Sequence, residues 1–290
     1  MTVEISDWID VPDLNPDGHE FVIGDVHGFA GPFEAVLRAM GERAAAAGQG
    51  HLTLLGDLID KGPDHVGALK LATRPEETLG FSGKTLVAGN HDLFLLLLLD
   101  WQKQREAEIA ARKDGLHRWD ERSCRDIWID GNGGLALFEE LAIVNCEDTA
   151  LLRRRLIDQL GETGLAQIEG MVSHRDTGNL TLTHGGPGWG VKIPHQRWFS
   201  IPVLWTGFID GSEQHYTWAR WWWTREPLNG RIIIHGHTPE RIIHGERHWR
   251  PDLHRIDGQR LGLDGADWEE SDRKVVGAEI EDGRYRIYSS

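Results

Sequence analysis

Five short blocks hold the side chains that could do chemistry: Gly24-Asp25-Val26-His27-Gly28, Gly56-Asp57-Leu58-Ile59-Asp60-Lys61-Gly62, Gly89-Asn90-His91-Asp92, His184-Gly185-Gly186 and Gly236-His237-Thr238. Each offers a hard oxygen donor or an imidazole. Carboxylates mixed with histidines are what a pair of divalent metal ions needs, and a metal pair suits the hydrolysis of phosphate esters. Asp25 and His27 flank one residue, so on an extended loop both side chains face one side and can grip one ion. Asp57 has two oxygens to share and is the candidate to bridge two ions. Asn90 offers a neutral carbonyl oxygen, and His184 and His237 offer ring nitrogens, which completes a second site. Ions in such pairs sit roughly 3.5–4 Å apart and can bring the pKa of a bound water to about 7.

These side chains need strands to aim them. An apolar run precedes each of the first two glycine turns, as a buried strand would. Residues 20–23, 51–55 and 84–88 read as strands, 32–47 and 66–72 as helices, and a leucine-rich helix begins at about residue 92. Strands alternating with helices predict an α/β architecture with at least partly parallel sheets. In such sheets the loops at the carboxyl ends of neighbouring strands converge on one edge, where ligands bind. The acidic and histidine blocks occupy those loops, so position along the chain predicts that they meet. Residues 180–183 and 231–234 are later strands leading into histidine blocks, and 274–280 with 284–288 read as a hairpin around Asp282-Gly283. Residues 101–171 are charged, lack strand alternation and break at Gly131 to Gly134. They are expected to form a helical lobe inserted in one domain spanning 1–290.

A chain of 290 residues can bury a substantial core. Its net charge of −15 argues against an electrostatic grip on a nucleic-acid backbone. Phosphate must therefore be drawn by local positive charge, metal ions above all. The two cysteines, Cys124 and Cys146, have no paired spacing, and residues 1–13 lack a basic-then-apolar leader. The longest apolar run, 93–99, is far short of a membrane span. The expectation is a reduced, soluble, cytoplasmic protein that engages neither nucleic acid nor membrane.

The order and spelling of the five blocks resemble the bacterial and phage-type phosphoprotein phosphatase branch of the calcineurin-like metallophosphoesterases, over about Gly24 to Thr238. The resemblance implies a four-layer α/β/β/α sandwich of two mixed sheets flanked by helices, with metals at one sheet edge. It implies a phosphomonoesterase dependent on two divalent metal ions, acting on phosphoserine, phosphothreonine or phosphotyrosine of a protein, or on a small phosphoester. In-line attack by a metal-bridging hydroxide would be the mechanism. Manganese comes first by family habit, while the donors also accept Fe, Zn, Co or Ni. By the same resemblance His91 protonates the leaving oxygen and Asp60 holds its tautomer.

Phosphate binding departs partly from the family. The arginine that usually follows the Asp60 equivalent is Lys61, which can neutralise one oxygen but cannot fork to two. Some phage and bacterial relatives carry an arginine where this chain has Ala88. Arg225, in Trp223-Thr224-Arg225-Glu226, resembles the Trp-x-Arg block of bacterial protein phosphatases and is the second phosphate-binding candidate, with Arg220 as fallback. Gly236-His237-Thr238-Pro239 lacks the last histidine of the Gly-His-x-His ending found in many nucleases of the superfamily. A symmetrical dinucleoside polyphosphate hydrolase stays open, because the third block ends in Asp92 where protein phosphatases more often carry glutamate. A metal-binding interaction module would have lost a ligand or the acid, and none is missing. Several of the thirteen tryptophans crowd residues 198–223, either as packing over the second sheet or as an aromatic wall beside the metals.

Overall fold

The computed structural model describes residues 1–99, 127–144, 149–186, 217–220, 230–267, 269 and 273–290. Cys124, Cys146, Arg225 and every tryptophan of the 198–223 stretch except Trp218 lie outside the described residues.

Two sheets carry the site. In the first, β3 (Glu20–Ile23), β4 (His51–Leu54) and β5 (Gly83–Leu86) run parallel, in that spatial order. On the other side of β3 the sheet continues antiparallel through β11 (Lys274–Glu281) and β12 (Arg284–Ser289). Short strands β1 (Glu4–Ile5) and β2 (Ile9–Asp10) pair with β12, and β10 (Asp264–Gly265) pairs with β11. In the second sheet β6 (His174–Thr177) is antiparallel to β7 (Leu180–Thr183), while β7, β8 (Ile232–His235) and β9 (Arg260–Gly262) run parallel. Both sheets are mixed, as the resemblance implies.

The two-residue period of a strand divides the core between the layers. Phe21 and Ile23 of β3 pack with Phe33, Val36, Leu37 and Met40 of α1 (Ala30–Ala47). Val22, pointing the other way, joins Leu180, Leu182, Ile232 and Ile234 of the second sheet. The α1 positions recur at the spacing of one helix face. Gly48 ends that helix at φ 71°, where a side chain would be strained. Helices α2 (His65–Ala72) and α3 (Asn90–Leu99) follow β4 and β5. Leu93 to Leu96 of α3 are all buried, as an all-apolar helix must be.

The described part of 101–171 is helical. It comprises one π-helical turn (Ile127–Gly131), α4 (Leu135–Glu140) and α5 (Thr149–Glu169), the last kinked at Gly161. Trp128, Phe138, Leu156 and Ile168 share the core cluster of α1 to α3. A short α6 (Glu240–Ile243) follows the last histidine block. No described helix is long and apolar enough to cross a membrane.

Several boundaries shift by one or two residues, and two of the shifts matter to the site. Strand β5 ends at Leu86 and α3 begins at Asn90, so Asn90 and His91 occupy the first turn of a helix. Asp92 explains the early start, since its carboxylate accepts the Gly89 N–H at 3.0 Å at the positive end of the helix.

Candidate metal centre and active-site cavity

The five blocks follow β3, β4, β5, β7 and β8, and their backbones are tied together. The N–H groups of Val26 and His27 donate to Asp57 O at 3.1 and 2.7 Å, Gly28 to Leu58 O at 2.8 Å, and Gly62 back to His27 O at 2.8 Å. Asp92 extends the lacing: its Oδ2 accepts from Asp57 N at 2.6 Å and its Oδ1 from Leu58 N at 3.0 Å. These ties hold unusual backbones. His27, Asp57, Asp60, Lys61 and His237 have φ between 49° and 72°, and Ala142 is the only other non-glycine with positive φ among the described residues. Such conformations cost of order 1–3 kcal/mol each and persist only where surroundings enforce them. Two glycines are required by close approach. A Cβ at Gly236 would lie 2.0 Å from Asp25 Oδ1, and one at Gly89 would lie 2.2 Å from Asp57 Oδ1.

All six expected donors come together, four from the first sheet and two from the second. His27 Nε2 stands 3.3 Å from Asp57 Oδ2 and 3.7 Å from Asp25 Oδ2. His184 Nε2 is 3.3 Å from Asp57 Oδ2 and 3.0 Å from Asn90 Oδ1. The His237 amide donates to both oxygens of Asp25, at 3.0 and 3.2 Å. Asp57 belongs to two groups of ligand atoms that each lie within 4.8 Å of one another, one with His27 and His91, the other with His184 and His237. Asp25 is in neither group; His91 stands in the first instead.

The electrostatics call for positive charge. Burial raises Asp25 well above the usual carboxylate range, and Asp264 and Asp57 add to the rise. Burial works the same way on Asp57, but His184, His91 and His27 overcome it and hold that carboxyl well below the range. Asp92 is pushed up to about 6 by burial and by the charge of Asp57. Burial opposes a charge on His184, yet Asp57 lifts it to about 9. Burial, then Arg273, lowers His27, and burial, then His184, lowers His237.

The donor set fits divalent metal ions. Among the described residues His237 Nε2 is buried without a hydrogen-bond partner, a cost of about 1–3 kcal/mol that a cation would remove. His27 Nδ1 donates to Ile59 O at 3.0 Å and His184 Nδ1 to Leu55 O at 2.8 Å, which leaves each Nε2 as the ligating atom facing Asp57. Hard oxygens with imidazoles suit first-row divalent ions without choosing among them.

Beside this cluster His91 Nδ1 donates to Asp60 Oδ2 at 2.7 Å, the expected dyad. His91, with His27, Asp57, Asn90 and His237 of the cluster, opens on a cavity of about 590 Å³ whose wall also carries Lys61, Arg220, Arg241 and Arg273. Lys61 and the fallback Arg220 are thus at the cavity. Arg241 and Arg273 are not apparent from the sequence. Arg273 is buried and donates to Asp264 Oδ1 at 2.6 Å, and Arg241 donates to Ala266 O at 3.1 Å. No spacing marks either one: Arg241 lies on α6 and Arg273 follows β10, and folding alone brings both to the cavity. Asp92 had a usable signal: an acid in the first turn of a helix, next to two functional residues.

A family model of calcineurin-like phosphoesterases matches residues 21–252. The chain belongs to the calcineurin-like phosphoesterase family. The family works with a dinuclear divalent metal centre, which the cluster around Asp57 can accommodate. Serine/threonine-protein phosphatase 1 of Salmonella typhimurium is 33% identical over 111 residues, 34% of this chain and 47% of that protein. The chain therefore spans about half the length of this curated relative. Among solved structures, a protein serine/threonine phosphatase from Saccharomyces cerevisiae superposes with a TM-score of 0.49 at 13% identity, covering 96% of this chain and 84% of the other. A structure provisionally described as a diadenosine tetraphosphatase gives 0.47 at 17% identity, covering 96% and 95%.

Proposed function

We propose that the chain hydrolyses phosphate monoesters, phosphoproteins first among them, as a member of the phosphoprotein phosphatase branch. Asp25, His27, Asp57, Asn90, His184 and His237 would hold two divalent metal ions. One observation carries the reading: the Asp57 carboxylate is shared by two groups of ligand atoms at the floor of a cavity lined by cationic side chains. Bound there, the ions would polarise the phosphoryl group and activate a water at neutral pH. Lys61 would neutralise a phosphoryl oxygen, with Arg225 as its partner. Because Asp60 engages Nδ1 of His91, the proton for the leaving alkoxide or phenoxide sits on Nε2. The partial identity to a bacterial serine/threonine phosphatase supports the branch, as does the Gly-His-Thr-Pro ending. A cytoplasmic setting belongs to the same reading, supported by only two cysteines without paired spacing.

The test is manganese-loaded protein assayed on p-nitrophenyl phosphate, with metal content measured alongside. Asp57→Asn should lose bound metal and turnover together. His91→Ala should keep the metal and lose turnover of phenyl phosphate, whose basic leaving oxygen needs a proton. Full turnover of p-nitrophenyl phosphate in Asp57→Asn, or of phenyl phosphate in His91→Ala, refutes the reading. His91 stands among the first group of ligand atoms, and loss of metal in His91→Ala would make it a ligand and not an acid.

A second reading, a symmetrical dinucleoside polyphosphate hydrolase, is favoured by the cavity wall. Lys61, Arg220 and Arg241 line it together with Arg273, which is paired with Asp264, more cations than one phosphoryl group engages even beside Asp264 and Asp267. Turnover of diadenosine tetraphosphate against phosphoserine, phosphothreonine and phosphotyrosine peptides separates the two.

A further inference from the structure

Asp60 is held in an unusual way. Two donors converge on one of its oxygens: His91 Nδ1 at 2.7 Å from Oδ2, and the indole Nε1 of Trp128 at 2.6 Å from the same atom. The other oxygen, Oδ1, is buried and makes no hydrogen bond among the described residues. The carboxylate orientation that the histidine needs is therefore fixed from one side only. Without a second donor at Oδ2, the carboxylate gains by turning its unsatisfied oxygen elsewhere.

Trp128 is built to stay in place. Its side chain is fully buried, stacked on Phe94 with ring centroids 6.2 Å and planes 6° apart, and edge-on to Phe138 at 5.7 Å. Phe94 lies three residues beyond His91 on α3, so the same stack references the indole to the helix that carries the histidine. Gly134 leaves room for the ring, since a Cβ there would lie 2.6 Å from it.

We propose that Trp128 is a positioning residue for His91, acting through Asp60: its indole N–H fixes the Asp60 carboxylate so that the imidazole presents Nε2 to the leaving oxygen. The inserted helical stretch thereby completes the acid end of the site. This rests on the reading of His91 as proton donor. As the phosphorus–oxygen ester bond breaks, the proton on Nε2 passes to the departing oxygen, and the ring regains one from solvent.

A positioning role predicts sensitivity to the leaving group, which loosened packing does not. The holoprotein with manganese is assayed on phenyl phosphate, whose leaving oxygen is strongly basic, and on p-nitrophenyl phosphate, whose leaving oxygen is not. In Trp128→Phe, and in a variant with 3-benzothienylalanine at 128 (the indole shape without its N–H), kcat on phenyl phosphate should fall about 10- to 100-fold, a part of what general acid catalysis supplies. On p-nitrophenyl phosphate it should fall less than about threefold, with KM unchanged on both. Phe138→Leu, which loosens the same aromatic packing and leaves the N–H in place, should not change the ratio. Equal losses on both substrates, or the same skew in Phe138→Leu, overturn the proposal and leave the reading of His91 standing. An unchanged ratio in His91→Ala overturns that reading and the proposal with it.

Discussion

Replacing Asp92 by asparagine changes one oxygen into an amide nitrogen at nearly constant shape, and the structure says what that does. The carboxylate is 1% exposed and accepts three backbone N–H groups: Asp57 and Gly89 on Oδ2, Leu58 on Oδ1. Asparagine has one acceptor oxygen. If it serves Asp57 and Gly89, its NH2 faces the Leu58 N–H, and a buried donor is orphaned at about 1–3 kcal/mol. Against this stands relief: Asp92 is pushed up from 3.8 to about 6, so its ionised form at neutral pH is disfavoured by about 3 kcal/mol. In metal-free protein these nearly cancel, and Asp92→Asn should shift urea stability by no more than about 1–2 kcal/mol. With cations neutralising Asp57, the relief shrinks while the orphaned donor stays. The same substitution should then cost more in metal-loaded protein than in metal-free protein, by at most the relief of about 3 kcal/mol, read as weaker metal binding by the difference between apo and holo denaturation curves. Equal destabilisation with and without metal, or unchanged metal affinity, would refute the idea that Asp92 fastens the two ligand loops.

Two further outcomes follow from other parts of the fold. Glu279 on β11 is buried and accepts from His19 at 2.9 Å, Arg43 at 2.9 Å, Arg286 at 2.7 Å and Tyr288 at 2.6 Å. Burial alone would raise this carboxyl, yet the hydrogen bonds hold it down from 4.5 to about 2. Its contribution, no more than about 3 kcal/mol, is complete above pH 4.5 and lost as pH falls toward 2, so Glu279→Gln should flatten the acid limb of a stability–pH profile measured by thermal melts. Gly236→Ala should weaken manganese binding by calorimetry about 10- to 100-fold with the fold intact by circular dichroism, because the new methyl displaces the Asp25 carboxylate.

Much of the site was legible because strand ends are. Apolar runs at 20–23 and 180–183 became β3 and β7 with the expected bounds, and the residues just beyond them carry Asp25, His27 and His184. Donor type together with position sufficed there. Strands β6 and β9 were not legible: His174, Arg175 and Asp176 alternate no apolar side chains, since they form a half-buried edge where Arg175 pairs with Glu20, and the pairing partner β7 defines them as strand. Contacts across long sequence gaps were equally hidden. Trp128 meets Asp60 across 68 residues, a relation no local pattern encodes. Arg273 reaches the cavity through its tie to Asp264, which shows in the sequence only as the near neighbour of a hairpin. The positive φ values at His27, Asp57 and His237 were also invisible, because these side chains do not advertise them and tertiary hydrogen bonds impose them.

Four donors hang from one sheet and two from the other, while the layers between them meet through Val22, Val276, Ala278 and Ile280 against Leu180, Leu182 and Ile234. Any sliding of one layer over its neighbour would alter the 3.3 Å span between His184 and Asp57. With ions held by these donors as proposed, choice of ion becomes a gauge of how the sandwich is seated. A methyl trimmed deep between the layers, remote from every ligand, would announce itself first as a protein that prefers a larger or smaller cation.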